Sequence, residues 1–204
     1  MTKILLPYEG KVKVESRYGY RTLNGETKWH NGVDLVGLES KVIIAPCDGV
    51  IMSSTIIEDH SNLTWEWGNY VRLDNNEYSI FMCHMAERFV HVGEAVVTGM
   101  PLGLEGNTGY SFGSHCHFEV RKKSNGITLN PCDLLNIFNG YGIVENEKKN
   151  APFHNWSEDA INEFLEKGIL KGYENGDLKL AQNITREEAV VLIYRALKEY
   201  GYIV

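Results

Sequence analysis

Short runs in which apolar residues alternate with polar ones fill the first two thirds of the chain, separated by glycine and Asn/Asp turns. Val42-Ile43-Ile44-Ala45-Pro46 and Asp48-Gly49-Val50-Ile51-Met52 predict two strands around a glycine-containing turn. Tyr70-Val71-Arg72-Leu73, a turn at Asp74-Asn75-Asn76-Glu77, and Tyr78 to His84 predict a hairpin. In its second arm Tyr78, Ile80 and Met82 share one face while Ser79, Phe81 and Cys83 share the other, because successive strand side chains alternate. An antiparallel all-β domain is therefore expected from Val12 to about Leu135. After Pro131 the period lengthens. Gly140 to Asn150 is polar and charged; Ile161, Phe164 and Leu165 then fall at helical spacing, as do Ala189, Leu192, Ile193, Ala196 and Leu197. Thr185-Arg186-Glu187-Glu188 has the form of a capping box in front of the second run. The expected fold class is α+β by segregated domains. Residues 1–140 form the antiparallel all-β domain, 141–150 a linker, and 151–204 a small α-helical module.

Composition narrows the function without naming it. The 204 residues hold 20 Lys+Arg against 27 Asp+Glu, a net charge of -7, so nucleic acid or an anionic membrane surface is excluded as the expected partner for want of a concentrated positive patch. Apolar stretches such as Ile4-Leu5-Leu6 and Ala189 to Tyr194 fall far short of the ~20 residues that span a bilayer. The first ten residues have too short an apolar core for a secretory signal, and no small-residue cleavage site follows it. Cys47, Cys83, Cys116 and Cys132 contain no C-x-x-C pair and are expected as buried thiols.

The histidines carry the candidate chemistry. His30-Asn31-Gly32-Val33-Asp34 sets an imidazole and a carboxylate four apart, and His115-Cys116-His117 sets two imidazoles two apart. On a strand an even separation keeps side chains on one face, so each pair is expected to project together. His115, His117 and Glu119 point one way, and Cys116, Phe118 and Val120 the other. Two His and one Asp converging would give the three-ligand open site of a catalytic zinc, with the fourth position left for water. A lone His-x-His or His-x3-Asp recurs by chance on solvated strands; jointly, with His84 ending another strand, the motifs become specific. His60, His91 and His154 have no companions and are expected at the surface. Trp65-Glu66-Trp67 reads either as a core anchor or as a substrate-facing ridge.

These residues resemble the lysostaphin-type zinc endopeptidases of peptidoglycan, nearly continuously from Ser16 to Leu135. Tyr18-Gly19-Tyr20-Arg21 and Trp29 to Asp34 match the segment with the His-x3-Asp motif, and Ile44 to Val50 match its following hairpin. Gly68-Asn69-Tyr70-Val71 through Cys83-His84-Met85 match the strand pair ending in a catalytic His. Val92-Gly93-Glu94 to Gly103, Asn107-Thr108-Gly109, Ser114 to Arg121 and Leu129-Asn130-Pro131 match the remainder. The resemblance implies an all-β metallopeptidase in which His30, Asp34 and His117 bind one Zn2+, while His84 and His115 sit beside the metal-bound water. Cys116 and Met85 stand where leucine is common, and both keep a core-sized apolar side chain. The choice of bond, a glycine bridge or a D-Ala-containing cross-link, falls to groove loops such as Ile56 to Gly68 and Gly106 to Gly113.

The C-terminal segment resembles a single S-layer homology repeat. Phe153-His154-Asn155-Trp156, Gly168 to Gly176 and Ile184-Thr185-Arg186-Glu187-Glu188-Ala189 follow that repeat's order. Asn155 stands where the repeat usually has Asp, and one repeat is present where three normally assemble. The resemblance implies a wall-binding module for a secondary wall polysaccharide, with Gly172, Tyr173, Arg186 and Glu188 at its ligand site. A helical pair that only packs or self-associates into a homo-oligomer is the alternative. Together the parts read as a zinc-dependent peptidoglycan hydrolase resembling a phage or prophage endolysin, held in the cytoplasm of a Gram-positive host until lysis and acting at the wall. A phage tail-associated wall hydrolase is a variant of this reading, and a non-catalytic peptidoglycan-binding or hydrolase-activating protein is the competing class.

Overall fold

The computed structural model describes residues 2–23, 25–57, 61, 65–145, 155–171, 178 and 184–203. The chain divides into two compact units, residues 1–150 and 151–204.

The first unit is built from antiparallel strands. Strands β1 (Lys11–Ser16), β2 (Gly19–Leu23), β3 (Glu26–His30), β4 (Val33–Gly37), β5 (Val42–Ile44) and β6 (Gly49–Ile56) come first. A 3-10 turn at Trp65–Trp67 precedes β7 (Asn69–Asp74), β8 (Tyr78–Cys83), β9 (Glu87–Arg88), β10 (Ala95–Val96) and β11 (Pro101–Leu104). Then follow β12 (Cys116–Lys122), β13 (Thr128–Leu129), helix α1 (Pro131–Leu135) and β14 (Gly142–Glu145). The main sheet runs β10-β6-β7-β8-β12-β4-β1-β14, with β13 also on β12; β5-β11-β9 and β2-β3 form two small sheets.

Local sequence explains each piece. In β1, Lys11, Lys13 and Glu15 face solvent while Val12 and Val14 are buried, the pattern of a strand with one wet face. The central strand β8 is buried along its whole length. The expected β7–β8 turn closes through Asn75, whose Oδ1 accepts from the backbone N–H groups of Glu77 and Tyr78, both at 2.8 Å. Helix α1 starts where Asn130 Oδ1 accepts from Cys132 N at 3.1 Å and Pro131 supplies a preset first φ. One core holds Tyr8, Val14, Leu35, Ile43, Leu73, Ile80, Met82, Met85, Leu102, Cys116, Phe118 and Val120 among others. All four cysteines are free and buried.

The stretch expected to be a linker begins instead as part of the sheet. Gly142–Glu145 pairs with β1, Val144 opposite Val12 and Gly142 opposite Val14. The charged residues that follow hide this short strand, and as an edge strand it buries little: only Val144 is half buried.

The second unit has two described helices, α2 (Asn155–Glu166) and α3 (Arg186–Glu199). Both arms of the expected capping box are present: Thr185 Oγ1 accepts from Glu188 N at 3.1 Å, and Glu188 Oε2 accepts from Thr185 N at 2.8 Å. Arg186 is the first residue of the helix it was expected to open. Gly172 and Tyr173 lie outside the described residues, as do His60 and His154. No described helix is long and apolar enough to cross a membrane.

Candidate metal centre

Three neighbouring strand ends bring three donors together. β12 pairs with β4 so that His117 lies opposite Asp34, and β3 ends at His30. His30 Nε2 is 3.1 Å from Asp34 Oδ1 and 3.0 Å from His117 Nδ1, which is itself 3.0 Å from Asp34 Oδ1. Donors around a tetrahedral zinc, each about 2.0–2.1 Å from the metal, stand about 3.4 Å apart. The observed triangle needs to open by only a few tenths of an ångström to fit one Zn2+. Among the described residues, His30, Asp34 and His117 are the group of His, Cys, Asp or Glu side chains that could hold a metal ion, and all three are buried.

The reason His30 and Asp34 meet differs from the expected one. They do not share a strand. His30 closes the hairpin β2–β3, Asn31 and Gly32 turn the chain, and Asp34 belongs to β4 of the main sheet. Gly32 is needed for space: a Cβ there would lie 2.7 Å from His117 Cε1 and 2.6 Å from the Phe118 carbonyl oxygen. His115 and His117 do follow strand parity, His115 forming a bridge with Gly106 just before β12.

Each donor is oriented from behind. His30 Nδ1 donates to the Arg17 carbonyl at 2.8 Å, which leaves Nε2 with its lone pair toward the site. Asp34 is split: Oδ1 faces the imidazoles, and Oδ2 accepts from Arg21 at 2.8 Å, with the same guanidinium nitrogen donating to Ser16 Oγ at 2.6 Å. A bulge in β1 between Val14 and Ser16 sets Ser16 opposite Asp34. Behind His117, Nε2 is 3.4 Å from Glu119 Oε2, and Glu119 is in turn bonded to Arg121.

The charges fit a cation. Burial pushes the His117 imidazole down, but Asp34 and Glu119 outweigh it and lift it to about 9. Burial pushes the Asp34 carboxyl up, and the imidazoles of His117 and His30 overcome that and hold it well below its ordinary range. Burial lowers His30. The carboxylates of Asp34 and Glu119 on either side of His117 favour a positive charge at this place.

His84 and His115 stand beside this triangle. Their ring centroids are 4.7 Å apart, and His115 Nε2 is 3.6 Å from Asp34 Oδ1. Each has Nδ1 tied to a carbonyl at 2.8 Å, Thr108 O for His84 and Gly113 O for His115, which leaves Nε2 for a reacting molecule. His84 sits just past β8 in the left-handed region, φ 64°. Burial first, then His115 and His117, pushes its imidazole down to about 4, so it is neutral near pH 7. Neither Trp65 nor Trp67 is buried: Trp67 meets the Phe81 ring at 5.0 Å and the Tyr70 ring edge-on at 5.2 Å, and Trp65 meets Tyr110 of the loop after β11 at 5.8 Å. His91 is exposed, as expected.

Sequence reasoning missed several supporting groups. Arg17 acts through its carbonyl, so its side chain gives no sign of the role, and Ser16 acquires its place only through a bulge. Glu105 is another: its buried carboxylate accepts from Tyr8 OH (2.9 Å), Gly37 N (2.9 Å), Lys41 Nζ (2.6 Å) and Ser114 Oγ (2.7 Å), pinning the residue before His115. Arg21 and Thr108 belong to matched motifs and could have been singled out there.

The sequence profile described as Peptidase family M23 matches residues 28–131, and that of the S-layer homology domain matches residues 151–190. Peptidoglycan DD-endopeptidase ShyC of Vibrio cholerae is 34% identical over 123 residues, 58% of this chain and 26% of that protein. The catalytic domain of the antimicrobial peptidase lysostaphin from Staphylococcus simulans aligns with a TM-score of 0.50 at 26% identity, covering 61% of this chain and 91% of that domain. A catalytic-domain variant of the prophage-encoded M23 protein EnpA from Enterococcus faecalis also gives 0.50 at 26% identity, over 62% of this chain and 95% of that one. The chain spans between 26% and 30% of the length of the first curated relatives it matches.

Proposed function

Because the chain belongs to peptidase family M23, we propose that it is a zinc-dependent endopeptidase that hydrolyses amide bonds in peptidoglycan peptides. The observation that carries this reading is the closed triangle of His30 Nε2, Asp34 Oδ1 and His117 Nδ1 at 3.0–3.1 Å, with two further histidines aimed beside it. His30, Asp34 and His117 would hold one Zn2+, which when bound acidifies water and polarises a carbonyl. His115 is the general base: its Nδ1–H is fixed on Gly113 O, so its Nε2 accepts the proton of the attacking water and later returns it to the leaving amine. His84, with Nδ1–H fixed on Thr108 O and its imidazole neutral, turns the lone pair of Nε2 toward the same space, where it accepts from and orders the attacking water beside His115. Arg21 and Glu119 keep Asp34 and His117 in place.

The match to the S-layer homology domain supports a wall or envelope role for residues 151–204, with Arg186 and Glu188 on the side of a wall polysaccharide. Arg186 opens a helix, where its guanidinium and the positive helix end favour an anionic sugar. The prophage-encoded relative supports reading the whole as a phage lysis enzyme, an endolysin. Produced inside a susceptible host, it is expected to lyse the cell only after the membrane is permeabilised; lysis without permeabilisation would sink that reading.

The test of the peptidase reading is turbidity loss of purified Gram-positive walls. Zinc-loaded protein is expected to clear them and chelator to stop it. No clearing of any wall type would favour the competing non-catalytic class, a binding or activating protein. The variant His115→Ala is expected to lose at least a hundredfold in rate while metal analysis still finds one zinc per chain. Loss of the zinc would mean that the ligand and base roles are exchanged.

A further inference from the structure

The face of the main sheet that carries His117 also gathers arginine and lysine. Because β12 alternates, His117, Glu119 and Arg121 project together, and the register sets Glu119 opposite Phe81 and Arg121 opposite Ser79. One strand further on, Arg72 lies opposite Phe81 and Asp74 opposite Ser79. Arg72, Ser79, Phe81, Arg121, Lys122, Lys123 and Gly126 line a hollow of about 200 Å³. Four of these seven are cationic, in a chain whose net charge is -7.

Internal pairing orients these cations without using them up. Asp74 engages only Nε and one terminal nitrogen of Arg72, each at 2.8 Å, and Glu119 engages only Nε of Arg121. Both guanidinium groups also lie against the Phe81 ring, at 5.6 Å for Arg72 and 4.8 Å for Arg121, and Arg121 reaches Trp67 at 5.4 Å. A guanidinium fixed by a carboxylate on one edge and an aromatic face below keeps N–H donors on its outer edge in a set direction. Lys123 donates to the Asn75 carbonyl at 3.1 Å and stands 3.8 Å from Asp74, while Lys122 is exposed. Four cations against two carboxylates leave two positive charges in surplus.

Position argues for what the surplus is for. Arg121 is four residues along β12 from the zinc-site residue His117, about 13 Å at strand rise. An extended peptide covers that distance in about four residues. We infer that this hollow is an anion subsite of the substrate groove, taking a carboxylate of the peptide about four residues from the bond that is cut. The inference rests on the peptidase reading above and narrows it: the substrate is an acidic peptide, as wall stem peptides are, and not a neutral glycine run.

Three probes test this with the zinc-loaded full chain: a synthetic stem peptide with free carboxylates, its fully amidated twin, and polyglycerol phosphate. Calorimetry reads affinity, and mass spectrometry of the peptides reads cleavage. The acidic peptide is expected to bind at least tenfold tighter than its twin. That ratio is expected to fall toward one in the double variant Lys122→Ala/Lys123→Ala, whose side chains lie at the rim, and in Arg72→Gln, with melting temperature confirming that each variant is folded. Equal affinity for the two peptides would overturn the inference, as would a ratio that survives both variants. Tighter binding of polyglycerol phosphate than of the acidic peptide would overturn it in favour of a wall-polymer site. Carboxylate-dependent binding without cleavage would leave the subsite standing and remove the peptidase reading; cleavage indifferent to the carboxylate would do the reverse.

Discussion

The side chain of Glu105 is fully buried, yet it belongs to the framework of the site and not to its chemistry. Burial pushes its carboxyl up, but the bonds from Lys41, Ser114, Gly37 and Tyr8 outweigh that and hold it below its ordinary value of 4.5. A group lowered in the folded state contributes stability that is complete above its unfolded value and lost as pH falls through the folded one. Acid melting of the protein is therefore expected to show a limb below about pH 4.5 that Glu105→Gln flattens. At pH 7, Glu105→Ala is expected to cost about 2–3 kcal/mol in denaturant melts, the loss of several hydrogen bonds to one buried charge. Gly32 makes a second prediction at this scale. Gly32→Ala drives a Cβ into His117 and the Phe118 carbonyl, so a competition titration is expected to find zinc affinity reduced about 10- to 100-fold, as displaced support of a ligand does elsewhere. Both residues show how legibility ends at the site's edge. The ligands could be read from His-x3-Asp and His-x-His because ligation demands those residue types, but support can come from any residue with a carbonyl or no side chain at all.

At the scale of elements, what matters is how the segment before β7 and the loop after β11 hold His84. Gly68 and Gly109 cross so closely that a Cβ on Gly109 would lie 2.4 Å from Gly68 N, and one on Gly68 would lie 2.4 Å from the Thr108 carbonyl carbon. Thr108 is the clasp: its Oγ1 accepts from Asn69 N and donates to Met85 O, both at 2.9 Å, and its carbonyl takes the His84 ring. Thr108→Val keeps the volume and removes both hydroxyl bonds. It is expected to lower kcat more than tenfold with zinc content unchanged and a stability loss of about 1–2 kcal/mol. A zinc-depleted variant would show that the clasp serves the metal site instead. The elements themselves were largely legible. The β7–β8 hairpin and the capping box of α3 rest on local rules, alternation in one case and two reciprocal hydrogen bonds in the other. Strand β14 was not, because an edge strand is stabilised by backbone pairing that side-chain pattern does not record.

At the scale of the whole molecule, the continuous core of buried residues runs from Ile4 to Leu135, so the first unit owns the interior that stabilises it. A chain ending at Asn150 is expected to melt cooperatively, cleave soluble wall peptides at the rate of the full chain, and lose sedimentation with purified walls. Unchanged sedimentation would favour the alternative in which the helical unit only packs or self-associates. Of the α3 positions at helical spacing, Ala189, Leu192 and Ala196 are half buried while Ile193 and Leu197 are exposed, so helical periodicity foretold the helix but only part of a covered face. By itself, the sequence determined the segregated α+β class, the strand texture and the metal-fitting group His30, Asp34 and His117, with His84 and His115 as candidates beside it, since residue chemistry and period-two alternation are local properties. Only the tertiary structure decided how those five residues meet. His30 and Asp34 come from different sheets, Ser16 reaches Arg21 through a bulge, and Arg72 joins Arg121 across two strand pairings. Register and long-range pairing govern such meetings, and neither is written in the neighbourhood of any one residue.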